Sequence, residues 1–199
     1  MRKEKGFTLV ELLIVIVVIG ILAGMMMLSS TEAITTARAN DVINNLNQLK
    51  KATLAWYADN RTRIKMVNNA YHIKSIDGND QGDFTAFNRT AGNTAEILKY
   101  VNQNNAINIC HNSYNNLDEG KYFFRAAPNK QFNLWYVGYV FSDKDSRIRE
   151  KVAGRASSLG LLGGRGNNIS VNDSEIPAAV FSTNDKIVFM FIIETGTYD

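Results

Sequence analysis

The sequence is poor in the residues that most often carry chemistry. Cys110 is the only cysteine in 199 residues, so no intrachain disulfide is possible even in an oxidising compartment. It reads as a small buried hydrophobe rather than a reactive thiol. The two histidines, His72 and His111, have no cysteine, histidine or acidic partner at metal-ligand spacing, so no metal or cofactor is expected. No proline precedes Pro128, which leaves the N-terminal part without its strongest helix breaker. Excess charge is scarce too: 22 Lys and Arg against 19 Asp and Glu give a net +3. That balance makes no case for bulk electrostatic binding to nucleic acid. No nucleophile–base pair or carboxylate dyad stands out, and an exported enzyme is the least supported class.

What the chain does have is concentrated at its start. Met1 to Gly6 is short, polar and basic, with Arg2, Lys3 and Lys5 against Glu4. Phe7-Thr8-Leu9-Val10-Glu11 follows, and then an uninterrupted apolar run from Leu12 to Leu28. Counted from Phe7, the segment is about 22 residues, or roughly 33 Å as a helix. That crosses a hydrocarbon core of about 30 Å. A secretory signal peptide carries an apolar region of only about 7–15 residues, so this run is too long for one. Glu11 fits neither a signal peptide nor a plain anchor, because a carboxylate inside a bilayer is costly and as a rule functional. The basic residues lie before the span, and the first one after it is Arg38. The positive-inside rule predicts a cytoplasmic N-terminus and an exported remainder of near-neutral charge.

Lys5-Gly6-Phe7-Thr8-Leu9-Val10-Glu11, after a basic leader and before an apolar helix, resembles the signature of the type IV pilins and the pseudopilins of type II secretion. The resemblance implies cleavage by prepilin peptidase between Gly6 and Phe7, and N-methylation of Phe7. It implies that Glu11 meets the amino terminus of a neighbouring subunit during assembly. It also implies an inner-membrane assembly platform and other pilin or pseudopilin subunits as partners, with membrane lipid around the helix beforehand. Many pilins close a C-terminal loop with a disulfide. The single cysteine departs from that pattern and leans the reading towards a pseudopilin, with pilus subunits and competence pseudopilins for DNA uptake as alternatives.

After the apolar run, Ser29-Ser30-Thr31 reads as a possible break. Beyond it Ile34, and then Ala39, Val42, Leu46, Leu49, Ala52 and Trp56 at three- and four-residue steps, read as an apolar stripe opposite Asn40, Asn44, Asn45, Lys50 and Lys51. One helix from about Phe7 to Asp59 is predicted, apolar all round in its first half and along one stripe in its second. Gly20 and Gly24 are its weak positions; they serve either close helix packing or local melting during assembly.

The rest of the chain suggests a small mixed head. Ile64 to Ile73 holds a short strand or a helix extension. Asp77 to Asp83 loosely echoes a calcium loop but has Asn88 where a bidentate glutamate belongs, and reads as a solvated turn. Asn93-Thr94-Ala95-Glu96 resembles a capping box opening a short helix with Ile97, Leu98 and Val101 inward. Asn102 to Asn116 reads as a loop. Tyr122–Ala127 and Phe132–Phe141 form a predicted hairpin turned at Pro128 to Gln131. Both faces of its second strand are apolar, which argues for a central place in a sheet. Ser142 to Asp145 caps a predicted helix carrying Ile148, Val152 and Leu159 that ends at Gly160. Its basic stretch, Arg147, Arg149, Lys151 and Arg155, is diluted by Glu150, Asp143 and Asp145 and reads as a solvated face rather than a DNA-binding one. Gly160 to Gly166 lacks the Walker lysine and hydroxyl and reads as a flexible loop. Ile187 to Ile193 is a last strand.

The expected organisation is a leader over 1–6, a membrane or filament-core helix half over 7–28, an amphipathic helix half over 29–59, and a globular α/β head over 60–199. The expected fold class is α+β: a long N-terminal helix packed on a small antiparallel sheet, the pilin layout.

Overall fold

The structure, a computed structural model, describes residues 6–67, 70–74, 80–83, 97–101, 107–109, 117–128, 133–164, 166–168 and 179–195. Helix α1 runs Leu9–Asn60, 52 residues, about 78 Å of continuous helix. Ser29-Ser30-Thr31 does not break it. Thr31 Oγ1 donates to the Met27 carbonyl at 3.0 Å, and Thr35 and Thr36 donate to the carbonyls of Thr31 and Glu32. These hydroxyls find acceptors within the helix instead of competing with it from outside.

The two halves of α1 meet different surroundings. The described side chains from Leu9 to Ile34 are all exposed, and Thr35 is the first that is buried. Ala39, Val42, Ile43, Leu46, Leu49, Ala52 and Trp56 then form a buried stripe. Ile34, assigned to that stripe by its spacing, is 54% exposed. It lies five residues before Ala39, about 140° round the helix, and so off the buried stripe, although Thr35 beside it is buried and Glu32 before it pairs with Lys151.

Past a 3₁₀ turn at Arg61–Arg63, strands β1 (Ile64–Val67), β2 (Ala70–Lys74) and β3 (Asp80–Asp83) form a three-stranded antiparallel sheet. The ambiguous stretch Ile64–Ile73 is thus a strand pair, with Ile64 opposite Ile73 and Val67 opposite Ala70. Asp80–Asp83 pairs with β2 in the ladder and is not the solvated turn expected there; Asp77, Gly78 and Asn79 lie outside the described residues.

The larger sheet has five strands, β4 (Tyr122–Pro128), β5 (Asn133–Val140), β6 (Leu162–Gly163), β7 (Ala179–Val180) and β8 (Ile187–Thr195), in the order β4-β5-β8-β6-β7. All neighbours are antiparallel. The expected hairpin is β4–β5, in register from Tyr122 opposite Tyr139 to Pro128 opposite Asn133. Pro128 closes the strand instead of opening the turn; residues 129–132 lie outside the described set. As its two apolar faces require, β5 sits between β4 and β8. Trp135, Val137 and Phe141 join Tyr122, Phe124, Val188, Met190 and the α1 stripe in the main core. Trp56 and Tyr57 of α1 meet the Trp135 ring at 6.2 and 5.2 Å, the latter edge-on. Tyr136, Val140, Phe123, Ile187 and Phe189 form a second cluster with Leu117.

Ile97 and Val101 complete the main core, with Ile97 and Leu98 helical. Ile109, inside the expected loop, makes a parallel bridge to Tyr122. Residues 93–96, 102–106 and 110–116, with Cys110 and His111, lie outside the described residues. After β5 the Ser142 N–H and Oγ both donate to the Asp145 carboxylate, at 3.0 and 2.7 Å. The single helix expected from here to Leu159 is two helices, α2 (Ser146–Ala153) and α3 (Ala156–Leu159), parted by a turn at Gly154 and Arg155; α3 ends at Gly160 in the left-handed region, φ +63°, a conformation open to glycine at little cost. The glycine-rich stretch after it is not loop throughout: Leu162 and Gly163 are β6. The buried Asp185 carboxylate holds that stretch, accepting from Gly166 N–H at 2.8 Å and from Ser182 N–H and Oγ at 3.0 and 2.8 Å.

Candidate functional site

The first turn of α1 is built by two of the seven residues from Lys5 to Glu11. Thr8 has extended backbone angles, φ −78° and ψ 153°, and is the N-cap. Its Oγ1 accepts from the Glu11 N–H at 3.3 Å. The Glu11 carboxylate reaches back and accepts from the Thr8 N–H and the Thr8 Oγ1, both at 2.8 Å. This reciprocal capping box satisfies donors that the first turn of any helix leaves open. An apolar solvent offers them no substitute, so the cap matters more if this turn lies in lipid. Thr8 was not singled out from the sequence. Its signal is plain in retrospect: threonine three residues before glutamate, immediately ahead of an apolar run.

Gly6 and Phe7 precede the helix. Phe7 is 86% exposed, and a side chain at Gly6 would touch nothing within 4 Å. The structure brings Thr8 and Glu11 together and leaves the Gly6–Phe7 peptide outside regular structure. Gly20 and Gly24 lie on one side of α1, four residues apart, with open space around both. Among the described residues α1 is the one helix long and apolar enough, by length and composition, to cross a membrane.

The basic stretch after Ser142 divides. Arg147, Lys151 and Arg155 line an open cleft of about 600 Å³ between α2 and α1, together with Glu32, Glu150 and Gly154. Lys151 forms an ion pair with Glu32 across it, and this bond and charge hold the ammonium above its ordinary value. Arg155 donates to Asn40 Oδ1. Arg149 acts instead on Asp143, which also pairs with Lys186 at 2.7 Å. Higher on α1, Asn45 Nδ2 donates to the Tyr122 hydroxyl at 3.1 Å; burial pushes that phenol well above its ordinary value in spite of the bond. Among the described residues no three or more His, Cys, Asp or Glu side chains gather as a metal site would require.

Residues 1–27 match the family model described as the prokaryotic N-terminal methylation motif. No curated protein and no solved structure matches the chain. The N-terminus is therefore the prepilin-type signal of type IV pilins and pseudopilins, and it leads into a long helix on an antiparallel sheet, a pilin-like α+β layout. The motif points to a structural subunit.

Proposed function

We propose that the protein is a structural subunit of a type IV filament, cut after Gly6 by prepilin peptidase and N-methylated on Phe7. It resides in the inner membrane through residues 7–28, N-terminus inward, with the amphipathic half 29–59 and the head 60–199 exported. The assembly platform then draws it into a helical filament with other pilin or pseudopilin subunits. One observation carries this reading: the methylation motif over residues 1–27 continues into a helix exposed on every side to Ile34 and buried along one stripe from Thr35. An apolar surface of that extent needs lipid at first and other helices later. Head-to-tail addition presents a different surface at each side of a subunit, which is the geometry of an open helical polymer.

In this reading Glu11 meets the positively charged, methylated amine of a neighbour's Phe7. Two such charges are tolerated in a low dielectric only when matched. The Thr8 cap gives the carboxylate partners on its own chain until then. The single cysteine favours a type II secretion pseudopilin over a disulfide-closed pilus subunit.

Two variants test the pairing. Glu11→Val removes both the charge and the capping box, whereas Glu11→Gln keeps an N3 side chain able to cap and removes only the charge. Both should accumulate in the membrane and begin at Phe7 by intact mass, one methyl heavier than the bare peptide. Both should give sheared-filament yields, or secretion or transformation efficiencies, at least tenfold below wild type. A normal yield from Glu11→Gln alone would assign Glu11 to capping; normal yields from both would leave a plain anchor.

A further inference from the structure

The cleft between α1 and α2 has no part in the filament scheme, yet its position and its charges are specific. We propose that it seats the phosphate of an anionic membrane lipid while the subunit resides in the bilayer, an inference that rests on α1 being a membrane span. The apolar run ends at Leu28, and Glu32 follows four residues later, about 6 Å along the helix axis. The polar layer bordering a hydrocarbon core is about 5–7 Å deep on each side. Glu32, and with it the Lys151 that pairs with it, therefore stands at the depth of lipid phosphates.

The chemistry of the cleft suits that depth. Lys151 pairs with Glu32, and with Glu150 as the second carboxylate of the lining the three basic groups keep one positive charge in excess. Arg147 lies one helical turn before Lys151 on the same side of α2, and Arg155 is steadied by its bond to Asn40. Both guanidinium groups line the same opening, and a guanidinium fork matches phosphate oxygens in pairs. An anionic glycerol headgroup brings no ammonium of its own, so it is favoured over a choline headgroup. Arg149 belongs to the same basic stretch but acts on Asp143 and lies outside the cleft lining, which makes it an internal control.

The test uses the full chain in mild detergent, titrated with phosphatidylglycerol or phosphatidylcholine and read by native mass spectrometry. Wild type should retain phosphatidylglycerol preferentially. A basic residue at a membrane surface contributes about fivefold in binding, so Arg147→Gln with Arg155→Gln should weaken retention roughly 25-fold. The charge-matched pair Lys51→Gln with Arg149→Gln should bind as wild type does. Equal retention of the two lipids, or equal loss in both double variants, overturns the proposal. So does a bound second copy that the Arg147/Arg155 change releases, which would make the cleft a subunit contact. Alkaline carbonate extraction separates the two levels: protein released from membranes refutes the span itself, whereas protein that stays without lipid preference refutes the lipid seat alone.

Discussion

At Gly138 the strand has no side chain, and a neighbour uses the space. Gly138 stands opposite Phe123 in the β4–β5 ladder. A Cβ added there would lie 2.3 Å from Phe123 Cζ and 2.6 Å from Cε1. Phe123 is fully buried and meets Phe189 edge-on at 5.8 Å, so its ring has little room to retreat. Gly138→Ala should cost about 1–3 kcal/mol through overpacking, seen as a lowered midpoint in thermal unfolding of the detergent-solubilised protein. Phe123→Leu added to it should restore part of the loss; an unchanged midpoint in the single variant would show that the ring is free to move. A glycine inside a strand announces a close approach, but which ring fills the gap depends on register and cannot be read from the chain. Thr8 shows the opposite case. Its capping role is written in local spacing, because Thr8 and Glu11 are three residues apart on one turn.

Among the elements, legibility follows the range of the forces that make them. The α1 stripe, the β4–β5 hairpin, α2 and β8 were all legible, because each has a local period or a turn of its own. The strands β6 and β7 were not. Both are two residues long, β6 lies in a glycine-rich stretch that looks like loop, and what fixes that stretch is Asp185, about twenty residues further along from Gly164 and Gly166. Burial alone would push the Asp185 carboxyl upward, but hydrogen bonds from the N–H groups of Gly164, Gly166 and Ser182 and from the Ser182 hydroxyl outweigh it. They hold the group below the ordinary carboxylate value. A group with a lowered folded value stabilises above its unfolded value, near pH 4, and that stabilisation fades as pH falls below it. Asp185→Asn should therefore cost on the order of 3 kcal/mol at pH 7, and the gap to wild type should narrow between pH 5 and pH 3. Denaturant midpoints across that range check it; a gap independent of pH would mean that the carboxylate charge contributes nothing.

The whole molecule is one helix serving two environments, and the boundary between them is set by the head and not by composition. Hydropathy places the change after Leu28, whereas burial begins at Thr35, because Glu32 meets the head only through an exposed ion pair and Ile34 lies off the buried stripe. Below that point the head reaches α1 through the Glu32–Lys151 pair but buries none of its described side chains. Above it, Leu46, Leu49 and Trp56 are fully buried, so the head has no complete core without the helix. Two fragments follow from this division. Residues 33–199 keep the whole buried stripe and lose only the apolar half and the Glu32 partner of Lys151, an exposed pair of little weight in stability. They should be soluble and monomeric and should unfold in one cooperative transition. Residues 61–199 lose the stripe and expose the side of the sheet that carries Trp135, Val137 and Met190. Burying large side chains such as these contributes about 1.5–3 kcal/mol each, against a total stability of only about 5–15 kcal/mol for a domain. That fragment should aggregate or stay unfolded by near-ultraviolet circular dichroism. A folded, soluble 61–199 would show that α1 lies on a core already complete, and an aggregating 33–199 would show that the head needs the apolar half as well.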